Sequence, residues 1–92
     1  MYTDIGISYG SDMTRVREVI EDAVDKVENV LSDKPIQVYF LKFGDKARVM
    51  RVRWWIDDYD NKNSVNDKVN SALETALHQA GIQIPFNTKN KT

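Results

Sequence analysis

Residues 50–60 hold the feature that most restricts the fold, a β-prone run that changes abruptly into a block of acids. Apolar side chains occupy every second position of the run, namely Met50, Val52, Trp54 and Ile56. A period of two is typical of a strand that buries one face. The opposite face would carry Arg51, Arg53 and Trp55, and the acids from Asp57 onward end the strand. The fold must therefore place this strand in a sheet that is covered on one side.

Three other segments carry strand patterns. Residues 3–9 alternate apolar with small or polar side chains, which predicts a first strand. Residues 36–41 alternate as well, and Phe43 breaks the alternation, which predicts a bulge before a turn at residues 44–45. Residues 82–86 form a short apolar alternation at the end of the chain and predict a last strand.

Two segments carry the pattern of amphipathic helices. Residues 13–31 have apolar side chains at steps of three and four, and Asp12 can cap the first turn with a carboxylate oxygen. Residues 64–80 repeat the pattern, and Ser64 with Asp67 resembles a capping box. Each predicted helix therefore connects two predicted strands.

This order of elements predicts one α+β domain. It is the ferredoxin-like βαββαβ sandwich, with two helices on one face of a four-stranded antiparallel sheet and residues 50–56 as a central strand. The domain would span residues 1–87, followed by a polar flexible tail over residues 88–92. Exposed apolar groups on an uncovered sheet face are typical of a contact surface. We predict a protein interface there, formed by Tyr39, Leu41, Arg51, Arg53 and Trp55.

Composition excludes several kinds of site. The chain has no cysteine, which rules out disulfides, thiolate nucleophiles and cysteine-ligated metal clusters. A calcium loop beginning at Asp58 would need glycine at position 63 and glutamate at position 69, where the chain has asparagine and valine. The single histidine, His78, lies beside the apolar stripe of the second helix and is predicted to be exposed. We therefore predict no catalytic residue, no cofactor, no metal and no enzyme activity.

Charge and hydropathy restrict the partners. The net charge of -1 gives no overall field that would attract nucleic acid or an anionic membrane. No apolar run approaches the roughly 18 residues of a membrane helix, so the chain is predicted to be soluble. A local basic aromatic surface still leaves an alternative open, a free-standing module that binds RNA or a small anion through Tyr39, Arg51, Arg53 and Trp55. The glycine-aromatic pattern of an RNA-binding third strand is absent from residues 46–52, so no nucleic-acid partner is expected.

Four short motifs are spread over nearly the whole chain in a recognisable order and spacing. They are IGISYGSD at residues 5–12, FGD at 43–45, RWWIDD at 53–58 and AGIQIPF at 80–86. Together, with a predicted helix in each long interval, they resemble the C-terminal cytoplasmic domain of the small-conductance mechanosensitive ion channel family. Trp55 corresponds to the family's aromatic residue in this strand, and Asp57 with Asp58 to its acidic strand end.

The resemblance implies a role in osmotic stress. In such channels seven copies of this domain form a hollow cage beneath the pore, which supports assembly and filters solutes while tension gating of the membrane helices releases pressure. Pore-lining helices and a small β-domain would precede residue 3, so the domain would lie on the cytoplasmic side of the cell membrane. The family often continues into a barrel strand after Pro-Phe-Pro, whereas Asn87 follows Phe86 here. The chain on its own is therefore predicted to be monomeric or weakly associating.

Overall fold

The computed structural model describes residues 1–57 and 59–85. Its sheet has three antiparallel strands, and its two α-helices are linked to them in the predicted order. The strands are β1 (Tyr2–Ser8), β2 (Gln37–Phe43) and β3 (Ala47–Arg53), and the helices are α1 (Met13–Asp25) and α2 (Lys62–Gln79). The sheet order β1-β3-β2 confirms that the strand carrying the opening motif is central. Neither helix in the described ranges has the length and hydropathy that a membrane crossing needs.

The strand β3 lies earlier in the sequence than the alternation predicts. It begins at Ala47 and ends at Arg53, and the chain then continues in contact with other segments. The Trp54 amide donates to the Met1 carbonyl at 3.1 Å, and Ile56 forms an isolated bridge with Val30. The apolar alternation therefore reports burial over residues 50–56, while the ladder hydrogen bonds decide where the strand ends.

The predicted fourth strand is absent over the described residues 82–85. The Ser8 amide donates to the Gln83 carbonyl at 3.1 Å, so this segment passes along the outer edge of β1, where the strand was expected. The Ile82 amide instead returns to the Leu77 carbonyl at 3.0 Å and closes the end of α2. Proline at position 85 has no amide to donate to a ladder. Phe86, the boundary after residue 87 and the predicted tail lie outside the described residues.

The helix α1 ends at Asp25, six residues before the periodicity predicted. Its start is as expected, since Asp12 Oδ1 accepts from the amides of Thr14 at 3.0 Å and Arg15 at 3.4 Å. Beyond α1 the chain turns, and the Leu31 amide donates to the Trp55 carbonyl at 2.8 Å. This tertiary pairing outweighs the helical preference of the pattern.

Asn29 has a φ of 80° in this turn, a left-handed conformation that costs most side chains about 1 kcal/mol or more. We expect Asn29→Ala to lower the free energy of unfolding by about 1 kcal/mol, and Asn29→Gly to leave it within a few tenths. Urea denaturation of the two variants and the wild type checks this. Equal losses for alanine and glycine would contradict a conformational cause.

The helix α2 begins at Lys62, so Ser64 lies inside its first turn and the predicted capping box is wrong. A short 3₁₀ turn, Tyr59–Asn61, leads into the helix and moves its start upstream. The end of α2 at Gln79 agrees to within one residue with the predicted end at residue 80. Gly81 has a φ of 74°, and its amide donates to the His78 carbonyl at 3.1 Å.

The core lies between the helices and one face of the sheet. Its members are apolar side chains of both helices and of β1, β3 and the residue after β3. They are Ile7, Val16, Ile20, Ala23, Val24, Met50, Val52, Trp54, Val65, Val69, Leu73 and Leu77. Ile5, Val38 and Ile56 pack against this cluster from its margin. Phe40 pairs with the buried Met50 but is itself 40% exposed, because it lies on the edge strand β2 next to a bulge.

Candidate functional site

The face of the sheet turned away from the core is the surface on which the sequence predicted an interface. Val52 and Met50 point into the core, so Arg51 and Arg53 of β3 point to the opposite side. The strand register places Asp4 and Tyr39 beside Arg51, and Tyr2 and Gln37 beside Arg53. We call the surface formed by Tyr2, Asp4, Gln37, Tyr39, Arg51 and Arg53 the open face.

Arg51 is the centre of the open face. Its guanidinium binds the Asp4 carboxylate through two parallel hydrogen bonds, Nε to Oδ1 at 2.8 Å and Nη2 to Oδ2 at 2.9 Å. The guanidinium carbon also lies 4.1 Å from the centre of the Tyr2 ring, within the range of a cation–π contact. Carboxylate and aromatic ring together fix the orientation of the arginine. The surface is therefore ordered before anything binds to it.

The electrostatics of this cluster follow from the ion pair. The hydrogen bond from Arg51 lowers the pKa of the Asp4 carboxyl below its usual value, against the opposing effect of partial burial. The same bond raises the pKa of Arg51, and the side chains of Tyr2 and Tyr39 add to the effect. Asp4 thus compensates the charge of Arg51 at neutral pH. Arg53 is exposed beside the pair, and the charge of the exposed Lys42 also helps to lower the pKa of Asp4.

The lowered pKa of Asp4 makes the stability of the fold sensitive to acid. An acid with a depressed folded-state pKa stabilises the fold above its unfolded value, 3.8, and loses that contribution as pH falls through the folded value. We expect Asp4→Asn to lower the melting temperature at pH 7, with the difference from wild type shrinking over the acidic range below the unfolded pKa of 3.8. Thermal denaturation across that range measures it.

The exposed Asp22–Lys26 pair, 2.9 Å apart on α1, provides the control for this experiment. Its side chains are 68% and 74% exposed, so Asp22→Asn should change the melting temperature much less than Asp4→Asn. Identical pH profiles for wild type and Asp4→Asn would show that the ion pair does not contribute to stability.

The structure brings together three of the five predicted interface residues. Tyr39 and Arg51 are direct neighbours across the β2–β3 pair, and Arg53 lies two positions along the same side. Leu41 falls at the register shift between Phe40 and Lys42 and has no partner on β3. Trp55 lies beyond the end of β3 and is half-buried, so it is separate from the ladder of the open face.

Sequence reasoning missed Tyr2 and Asp4. Both have the strand parity of the open face, so their side was predictable once β1 is recognised as a strand. Their proximity to Arg51 depends on the register between β1 and β3, strands separated by α1 and β2. A search for opposite charges over every possible register of β1 and β3 would have included the Asp4–Arg51 pair. It could not have selected this pair over those of the other registers.

The open face combines aromatic rings with an arginine that is held in an ion pair. The described residues contain no group of three or more histidine, cysteine, aspartate or glutamate side chains that could hold a metal ion. One face of the Tyr2 ring is in contact with the Arg51 guanidinium, which competes with base stacking there. His78 is exposed on α2, as predicted. What the face offers is an ordered patch of aromatic rings with the exposed cation Arg53, and Lys42 lies close enough to act on Asp4.

Known proteins resemble this chain over nearly its whole length. The family model described as "Mechanosensitive ion channel MscS, C-terminal" matches residues 2–84. The Small-conductance mechanosensitive channel of Helicobacter pylori is 29% identical over 82 residues, which are 89% of this chain and 30% of that protein. The Large-conductance mechanosensitive channel MscMJLR of Methanocaldococcus jannaschii is 30% identical over 94 residues, 94% of this chain and 26% of that protein.

A solved structure gives the same result for the fold. The crystal structure of Helicobacter pylori MscS in its closed state superposes with a TM-score of 0.86 at 28% identity, covering 95% of this chain and 34% of that chain. The chain thus spans about a third or less of the length of these relatives. The shared part is one domain of each.

Proposed function

Because the chain belongs to the MscS family of mechanosensitive ion channels, whose C-terminal domain it matches, we propose that it is the C-terminal domain of a tension-gated channel. In this role it forms part of an oligomeric cytoplasmic cage, a heptamer in the full-length channel, that supports assembly and filters solutes during osmotic pressure release. The observation that carries the proposal is the family match over residues 2–84. The superposition on a channel structure with a TM-score of 0.86 supports it independently.

The open face supports a structural role within this assembly. Ordered aromatic and arginine side chains are enriched where proteins contact each other, and Arg51 is already oriented by Asp4 and Tyr2. We propose that the surface around Tyr39, Leu41, Arg51, Arg53 and Trp55 contacts another part of the channel on the cytoplasmic side of the cell membrane. The role requires no reaction chemistry. The alternative of a free-standing RNA or anion module is not favoured by the family match.

A domain exchange tests the function. The C-terminal domain of the Helicobacter pylori channel would be replaced by residues 2–84 of this chain and expressed in bacteria that lack their own mechanosensitive channels. We expect the chimaera to restore survival of a sudden drop in osmolarity and to conduct under membrane tension in patch recordings. The matched control is the channel with its C-terminal domain deleted. A chimaera that reaches the membrane but neither assembles nor conducts would contradict the proposal.

We also propose that residues 83–85, which one hydrogen bond to Ser8 holds beside β1, pair further with this strand and complete the four-stranded ferredoxin-like sheet. The Ser8–Gln83 hydrogen bond supports this position, and the amides of Gly6 and Asp4 point to the same edge of β1 as that of Ser8. Amide hydrogen exchange measures it. Slow exchange is expected at Gly6, whose amide is the next along this edge from that of Ser8, and exchange at the rate of an open backbone there would contradict a fourth strand.

A further inference from the structure

The tip of the β2–β3 hairpin carries a second exposed apolar surface, separate from the open face. Phe40, Leu41 and Phe43 are 40%, 36% and 77% exposed. The rings of Phe40 and Phe43 contact each other edge to face, with centroids 4.9 Å apart and planes at 72°. Exposed clusters of large apolar side chains usually mark a binding surface. We call residues 40–46, with Arg48, the hairpin tip.

The hairpin tip is held in place by contacts at its base. The Tyr9 hydroxyl donates to the Gly44 carbonyl at 2.7 Å, and the Gly44 amide donates to the Ala47 carbonyl at 2.8 Å. The Arg48 guanidinium lies 5.8 Å from the centre of the Tyr9 ring. A surface fixed in this way loses little conformational entropy on binding. The tip is therefore suited to insertion into a complementary surface.

The charge of the hairpin tip restricts its partner. Lys42, Lys46 and Arg48 oppose the single carboxylate of Asp45, which gives the tip a charge of +2, whereas the whole chain has -1. A partner should therefore present an acidic rim around an apolar floor.

Another part of the same chain presents acidic side chains beside an apolar surface. A shallow groove of ≈ 510 Å³ lies between α1 and the segment before β2, and it is lined by Glu18, Glu21, Asp22, Asp25, Ser32, Lys34, Pro35 and Ile36. Four carboxylates and one ammonium give this lining a charge of -3, which the adjacent Lys26, paired with Asp22, reduces to -2. Pro35 and Ile36 supply an apolar surface beside the acids. We call it the acidic groove.

One copy of the chain cannot join the two surfaces. The acidic groove ends at Ile36 and the hairpin tip begins at Phe40, so residues 37–39 of the extended strand β2 keep their nearest ends about 13 Å apart. We propose that the hairpin tip of one copy docks in the acidic groove of the next copy. Such a contact is head to tail, and its repetition closes a ring when the rotation between copies allows it.

This contact rests on the proposed cage function and specifies how neighbouring copies meet in it. The patch is small compared with a stable protein interface, so a single contact is weak. In a channel whose membrane part already holds the copies together, the high effective concentration compensates for this weakness. The chain alone therefore associates weakly, while the assembled cage has the contact at every subunit boundary.

Disulfide trapping tests the contact directly, because the chain has no cysteine of its own. Copies carrying Asp45→Cys at the tip would be mixed with copies carrying Ser32→Cys in the groove, the two being distinguished by mass, in a glutathione redox buffer. We expect mixed disulfides to exceed those of either homodimer. The matched control replaces Ser32→Cys by Ser71→Cys, an exposed serine on α2, and should give about tenfold less mixed product. Homodimer disulfides equal to the mixed ones would overturn a head-to-tail contact.

Charge exchange provides the second measurement. Lys42→Glu with Lys46→Glu on the tip, or Glu18→Lys with Glu21→Lys in the groove, should each lower the mixed disulfide yield about tenfold. When copies with the charge-reversed tip are mixed with copies with the charge-reversed groove, most of the mixed disulfide yield should return. Failure of this combination to recover the yield, with each variant folded by circular dichroism, would overturn the proposal. The domain exchange reports on channel function separately, so either idea can fail while the other stands.

Discussion

Replacing Trp54 by alanine is expected to lower the free energy of unfolding by about 3–5 kcal/mol, a large part of the stability of a domain of this size. The indole is 1% exposed and belongs to the core between the sheet and the helices. Its removal leaves a cavity that the surrounding side chains fill only in part. Urea denaturation monitored by circular dichroism measures this loss of stability. Trp55 remains in the variant, so its fluorescence provides a second signal for unfolding.

Two further substitutions separate the causes of that loss. Trp55→Ala changes the same residue type at the adjacent position, and because Trp55 is only half-buried it should cost clearly less. Trp54→Phe keeps a ring in the core and removes the indole Nε1, which has no hydrogen-bond partner among the described residues. The relief of an unpaired buried donor offsets part of the lost volume, so we expect a cost of about 1 kcal/mol. Equal costs for Trp54→Phe and Trp54→Ala would contradict this account of the core.

The parts of the fold predicted from sequence are those governed by local periodicity. The alternation around Met50 and Val52 correctly assigned the core side of β3, and Asp12 correctly located the start of α1. The end of α1 was predicted wrongly. Val30 has the spacing of an apolar position on a helix, but it forms a β-bridge with Ile56 instead. A segment with apolar residues at compatible spacing can serve either structure, and only the tertiary contact decides.

In the candidate site, too, the features set by local sequence were predicted and the contacts between distant segments were not. Strand parity is local, and it placed Tyr39, Arg51 and Arg53 on one side of the sheet. The contact of Arg51 with Asp4 depends on the register of two strands 47 positions apart in sequence, which no local pattern encodes. The displaced position of Leu41 has a different cause. A bulge was predicted near Phe43, but the register shift lies between Phe40 and Lys42, and one position is enough to remove a side chain from the ladder.

Replacing Gly44 by alanine is expected to destabilise the hairpin by about 1–3 kcal/mol. A Cβ at this position would lie 2.8 Å from the Ala47 carbonyl oxygen, closer than real contacts allow. That oxygen is backbone and already accepts the Gly44 amide at 2.8 Å, so relief requires the turn itself to shift. The Tyr9 hydroxyl bond to the Gly44 carbonyl would shift with it. Thermal denaturation and the chemical shifts of residues 43–47 measure the effect.

Gly6→Ala is the matched control for this substitution, because its Cβ would meet the Ala47 side chain at 3.2 Å rather than a backbone atom. The half-buried methyl group of Ala47 can yield by a few tenths of an ångström more easily than a backbone carbonyl, so the cost should be the smaller of the two. The two variants also differ in their effect on the hairpin tip. Since Gly44 holds the tip through Tyr9 and Ala47, Gly44→Ala should weaken the tip-to-groove disulfide whereas Gly6→Ala should preserve it. Equal disulfide yields from the two variants would mean that the docking surface does not depend on the fixed turn.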